Sequence, residues 1–198
     1  SPERMRMIQA SYYGMYSYLD DKLGQLLDIL EDMRIRDNTM VVFASDHGEM
    51  MGRKHMFEKR TFFEDSARVP LVVSMPSRFG AREIESEASL LDLFPTFAAL
   101  AGSDWPADSL SGKSLVPALH GDESGLRHRG IVCEYYGESL KYPFRAIVRD
   151  RLKYVHFPEA PQNDLLFDLK RDPSEKCNVI AEAEHAAAAR ELLSLATN

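Results

Sequence analysis

Two short runs, TMVVFA at residues 39–44 and VPLVVSM at residues 69–75, are apolar without a break. An unbroken apolar run suits a strand covered on both faces, because alternation would put polar side chains against one of the covers. The pair therefore predicts two core strands of a parallel sheet. Ahead of the first run, SPER reads as a helix start, with Ser1 as cap and Pro2 in the first turn. Tyr12, Met15, Leu19, Leu23, Leu26, Leu30 and Met33 then recur at three- and four-residue steps, which predicts a core-facing helix ending near RIRDN. After the second run, LLDLFPTFAALAG predicts another helix, with Asp92 capping, Pro95 in its first turn and Gly102 as terminator. Helix and strand alternate to about residue 102, an α/β pattern.

A turn-rich stretch follows, and the pattern changes. IVCEYY, FRAIVRD, RLKYVHF and DLLFDL succeed one another without helices between them, predicting a small antiparallel sheet. EAEHAAAARELLSLA predicts a terminal helix, with Leu192, Leu193 and Leu195 to pack it. Two regions result, 1–105 and 106–198. A chain of 198 residues with 44% hydrophobic and 28% charged residues is neither disordered nor fibrous. A formal charge of -7 argues against general attraction to nucleic acid or an anionic membrane surface. No apolar run approaches the roughly 18 residues of a membrane helix, and the start lacks a secretory pattern, so the chain reads as soluble. Cys133 and Cys177 are too few for a disulfide framework and lack metal-ligand spacing; both read as reduced and structural.

Chemistry is expected between the two apolar runs, where DHGEMMGRKHMFEKRTFFEDSAR is too long for a plain connection. Asp46 and His47 stand at the carboxyl end of the first strand, where α/β sheets bind their ligands. A carboxylate beside an imidazole suits manganese, zinc or iron, and Gly48 lets the backbone turn so that both face one ion. The same residues also read as a turn cap and a surface histidine, and both readings stand at this level. Lys54, His55, Lys59 and Arg68 add a basic cluster to an acidic chain. A metal with one or two cations is what hydrolysis of an anionic ester requires, since charge develops on the non-bridging oxygens and the leaving group. As a bland alternative the lysines are solvated and Arg68 pairs with Glu64 or Asp65. No GxSxG elbow or Walker loop occurs, and Cys133 lies in an apolar strand, so no nucleophile is visible. Tyr135, Tyr136 and Trp105 could line a pocket for a quaternary ammonium group by cation–π attraction, or simply pack.

The run DDKLGQLLDILEDMRIRDNTMVVFASDHGEMMGRKHMFEKRTFFEDSARVPLVV resembles the sulfatase family of the alkaline phosphatase superfamily, particularly its choline-sulfatase-like and arylsulfatase-like members. LLDLFPTFAALAG, SGKSLVPALHG and VRDRLKYVHFPEAPQNDLLFDLKRDPSEKCNVI resemble later landmarks in the same order. The resemblance implies the C-terminal part of an α/β/α sandwich with a parallel-strand core, then a small antiparallel sheet and a terminal helix. It implies a metal-dependent sulfuric ester hydrolase acting on a small-molecule sulfate ester. Asp46 and His47 fall on two metal-ligand positions, with calcium the implied ion and manganese the alternative, since histidine at the second position occurs in manganese-using relatives. Lys59, ahead of Phe62 and Phe63, matches a lysine that contacts the sulfate and the leaving oxygen. GRKH departs from the commoner glycine, acid, histidine pattern; His55 is assigned a catalytic role, and Lys54 and Arg68 substrate contacts.

The family's first acidic pair and its CxPxR segment, source of the formylglycine nucleophile, do not occur in these residues. The expectation is therefore the C-terminal portion of a longer enzyme, inactive alone, whose open sheet edge drives homo-oligomer formation or another association. Its bacterial likeness points to cytoplasm or periplasm. Phosphoester or phosphonate-ester hydrolysis is the alternative within the superfamily, and a non-catalytic binding or assembly module is the alternative outside it.

Overall fold

The computed structural model describes residues 1–103, 109–137 and 142–197. The chain forms two compact units, one from Ser1–Lys59 and Arg68–Gly80, the other from Arg60–Ala67 and Ala81–Asn198. The boundary expected between residues 105 and 106 lies outside the described residues, as does Trp105.

In the first unit α1 (Pro2–Asp32) starts as its residues dictate: the Arg4 amide donates to Ser1 Oγ at 3.4 Å and Pro2 takes the first turn. It ends in a Schellman motif, with Ile35 N donating to Leu30 O and Arg34 N to Glu31 O, and Arg34 holds the left-handed position at φ 56° where glycine is usual. The apolar stripe forms, yet no residue of α1 is buried, which corrects the expectation of a core-facing helix. Met15 and Met33 are 60% and 62% exposed. A helix about 46 Å long exceeds what a two-stranded sheet and one loop can cover.

β1 (Val41–Ala44) pairs with β2 (Leu71–Ser74) antiparallel, Val41 opposite Ser74 and Ala44 opposite Leu71, which corrects the expected parallel pairing. The strands are half-buried rather than enclosed. Arg36 locks the register by donating from Nη2 to Ser74 Oγ at 2.5 Å and from Nη1 to Thr39 O at 3.2 Å. Continuous apolar character had indicated two covers, but composition carries no strand direction; the antiparallel register brings both ends of the intervening segment to the carboxyl end of β1.

The second unit is an antiparallel meander in the order β3 (Ile131–Tyr135), β4 (Phe144–Arg149), β5 (Leu152–His156), β6 (Leu165–Asp168). One face gathers Phe144, Ala146, Val155 and Phe167 against Phe62 and Phe63, next to α2 (Glu64–Ala67). The other gathers Ile147, Tyr154 and Leu166 against Leu192 and Ala196. These last two lie on the expected terminal helix, α5 (Ala186–Thr197). Covering both faces explains why alternation is weak in β4 to β6. The small antiparallel sheet and terminal helix are as the sequence predicts.

α3 (Leu93–Leu100) has Pro95 buried in its first turn and Gly102 beyond its end at φ 67°. Asp92 does not cap it with its side chain. Instead this fully buried carboxylate accepts from Ser89 N, from Lys113 N and from both terminal nitrogens of Arg129, tying the turn before α3 to the segments around α4 (Val116–Leu119). A solvent-facing cap is thus replaced by a buried ion pair. No described helix is long and apolar enough to cross a membrane.

Candidate active site

β1 stops at Ala44, and the chain turns at once. Ser45 Oγ donates to His47 O at 2.8 Å, and the His47 amide donates to Asp46 Oδ1 at 3.0 Å. His47 Nδ1 lies 2.7 Å from Gly48 O. A carbonyl only accepts, so Nδ1 carries the ring proton and Nε2 presents its lone pair. Lys59 Nζ donates to that Nε2 at 2.7 Å, and Asp46 Oδ2 stands 3.4 Å from the same atom.

Twelve residues separate His47 from Lys59, and the loop's own bonds close the gap. Glu49 Oε1 accepts from Met51 N at 3.2 Å and from Glu58 N at 2.7 Å; Met50 N donates to Glu58 O at 2.9 Å, and Gly52 N to Met56 O at 2.8 Å. Met50, fully buried, anchors the middle. So tight a path needs left-handed backbone at Met51, Gly52, Lys54, His55, Glu58 and Arg60. Each non-glycine residue held there costs of order 1 kcal/mol, a cost concentrated in functional segments.

Asp46, His47 and Lys59 are brought together. Lys54, half-buried, and His55, exposed, occupy the turn at 53–55, and Arg68 is exposed ahead of β2; among the described residues neither His55 nor Arg68 bonds to Asp46 or His47. Glu64, considered as a partner of Arg68, is held by Lys153 at 2.5 Å. Glu49 was missed by sequence reading; an acid just ahead of two methionines in a polar loop was its only signal.

Partial desolvation pushes the Asp46 carboxyl up, but the backbone amides of His47 and of Asp46 itself and the nearby Lys59 ammonium outweigh it and hold the group below the usual carboxylate value. The donor set fits a divalent cation: an ionised oxygen and an imidazole lone pair side by side, with an ammonium already drawn to the nitrogen. A second cluster, Glu182, Glu184 and His185, has ligand atoms within 4.8 Å of one another, though Arg171 pairs with Glu184 at 2.6 Å and already supplies a cation.

The chain belongs to the sulfatase family: the model of N-sulphoglucosamine sulphohydrolase, C-terminal, matches residues 52–197. A choline-sulfatase of Rhizobium meliloti is 38% identical over 183 residues, 89% of this chain and 34% of the relative. Among solved structures, the phosphonate monoester hydrolase of Agrobacterium radiobacter superposes with a TM-score of 0.84 at 36% identity, over 98% of this chain and 42% of that one. A protein solved with its substrate D-glucosamine-2-N,6-O-disulfate gives 0.77 at 30% identity, over 90% and 37%. The chain spans about a third of the length of the curated relatives it matches.

Proposed function

We propose that Asp46, His47 and Lys59 form the metal-and-lysine part of a sulfuric ester hydrolase site. The observation that carries it is the His47 Nε2 lone pair, set beside the Asp46 carboxylate at the carboxyl end of β1 and gripping a cation. Asp46 and His47 would hold the ion, calcium by family likeness with manganese as the alternative. When bound, a divalent ion polarises the ester's oxygens and lowers the barrier to attack on sulfur. Lys59 stabilises the charge building on the leaving oxygen, and its ammonium is a proton source for that oxygen. His55 acts beside it, and Lys54 and Arg68 meet the sulfate. The nucleophile, formylglycine by resemblance, belongs to a segment outside this sequence, and these residues alone are inactive.

Residues 1–105 belong to the catalytic domain and 106–198 to a sheet subdomain that supports it. The protein works in a bacterial cytoplasm or periplasm on a small sulfate ester, and forms a homo-oligomer or associates through the exposed edge of the β1–β2 pair. Likeness to a phosphonate monoester hydrolase at 36% identity supports a second reading, phosphoester or phosphonate-ester hydrolysis at the same residues.

The test is turnover of p-nitrophenyl sulfate, p-nitrophenyl phosphate and a phenyl phosphonate monoester by the protein with its full genomic coding sequence. Asp46→Ala/His47→Ala should lose more than about a hundredfold in kcat/KM. Undiminished turnover in that variant would refute the site, and a preference for either phosphorus ester would select the second reading.

A further inference from the structure

The proposed metal site and Lys59 claim one atom. His47 has a single lone pair to give, because Nδ1 is committed as a donor to Gly48 O at 2.7 Å. That pair, on Nε2, accepts from Lys59 Nζ at 2.7 Å, with Asp46 Oδ2 3.4 Å from the nitrogen. The ammonium thus stands where an ion held by Asp46 and His47 would have to bind, and two cations cannot share one lone pair. The arrangement is built rather than incidental. Glu58, the residue before Lys59, is pinned through both backbone groups, its amide to Glu49 Oε1 at 2.7 Å and its carbonyl to Met50 N at 2.9 Å. Glu58 is held in the left-handed region at φ 65° to deliver Lys59 there. The backbone is fixed while the four-carbon stem keeps its freedom, so the ammonium can leave without the loop unfolding.

We propose that Lys59 is an internal competitor for the metal: its ammonium holds His47 Nε2 until a divalent ion takes that lone pair, and the displaced ammonium then becomes available to the anionic ester. Metal loading and the release of Lys59 are one event, so the lysine meets substrate only when the ion is in place. The inference rests on the metal reading above and adds a thermodynamic consequence to it. A competing internal ligand lowers apparent affinity by the fraction of molecules in which it is bound, so removing it tightens metal binding even though a catalytic group is lost.

Calorimetry with Mn²⁺ and with Ca²⁺ at one fixed pH on this chain tests it, comparing the parent sequence with Lys59→Met, His47→Ala and Arg53→Gln. The last removes one positive charge from the same loop. Lys59→Met should bind about threefold tighter or more, Arg53→Gln should change affinity less, and His47→Ala should weaken it. In the unmodified chain, nuclear Overhauser contacts between the Lys59 methylene next to Nζ and the His47 ring should disappear on saturation with Ca²⁺, a readout independent of any variant's folding. Unchanged or weaker binding by Lys59→Met, a change no larger than that of Arg53→Gln, or contacts that survive saturation would overturn the competition while leaving the metal site standing. Binding that His47→Ala does not alter would remove the metal reading and the competition together.

Discussion

Lys153 is the residue on which the second unit turns. It is 1% exposed, and its ammonium reaches Glu64 Oε1 at 2.5 Å, Glu175 Oε1 at 2.8 Å and Phe62 O at 2.8 Å, so all three donors are used. Glu175 Oε2 in turn accepts from Glu64 N at 2.7 Å, which staples the aromatic segment to β5. Removing the ammonium alone leaves two carboxylates facing each other away from water. Lys153→Met should cost about 3–5 kcal/mol in urea unfolding, and adding Glu175→Gln should recover part of that loss. The sequence hid this role: between Leu152 and Tyr154, a lysine reads as the wet face of an alternating strand, and nothing local announces that residues 60–67 cover that face. Cys133, on β3, shares the surroundings. Desolvation raises its thiol pKa, with Lys153 opposing and Glu64 and Glu134 adding to the rise. The folded state therefore keeps a proton that the unfolded chain releases, so this group's contribution to stability is intact below the ordinary thiol pKa and declines as pH climbs above it. Iodoacetamide at pH 8 should modify exposed Cys177 well before Cys133, and equal rates would show the Cys133 environment to be wet.

Elements were legible where their signals are local. Ser1, Pro2 and the apolar stripe sufficed for α1, and the four C-terminal strands announced themselves by their runs. Pairing is a long-range property, so β1 and β2 were found while their direction was not. The 45–60 loop was legible only as an unusual length; its closure depends on the Glu49 carboxylate and on backbone that side-chain identity does not forecast, since four of its left-handed residues are charged or histidine. Where the backbone is left-handed, substitution has a calculable sign. Arg34→Gly at the end of α1 should raise the thermal midpoint, by relief worth about 0.5–1 kcal/mol, because glycine occupies φ 56° without a Cβ penalty. Gly52→Ala should act the other way. At φ 83° a Cβ would lie 2.5 Å from Met5 Cε and 2.7 Å from its Sδ. The methionine end can shift but the torsion cannot, so a loss of about 1–2 kcal/mol is expected in urea unfolding.

At the scale of the whole molecule, charge and exposed apolar surface act in opposite directions. A net charge of -7 keeps copies apart, while α1 displays Tyr13, Met15, Leu19, Leu26 and Ile29 to solvent and, among the described residues, β1 and β2 pair only with each other. The stripe was readable from the sequence because it is periodic; its exposure was not, because periodicity records which face is apolar and not what lies against it. Unpaired strand edges add unsatisfied backbone groups to the same unit. Screening should decide the balance: the Debye length falls from about 10 Å at 0.1 M salt to about 3 Å at 1 M, which removes the repulsion and leaves the apolar attraction. Light scattering should therefore show mass rising with protein concentration, and more steeply at 1 M salt than at 0.1 M. Leu19→Glu/Leu26→Glu, at positions 48% and 49% exposed, should abolish that rise without lowering the melting temperature, since neither side chain is buried. A double variant that still associates would shift the contact from α1 to the β1–β2 edge, and a parent chain that stays monomeric at high salt would show that α1's apolar stripe is tolerated in water.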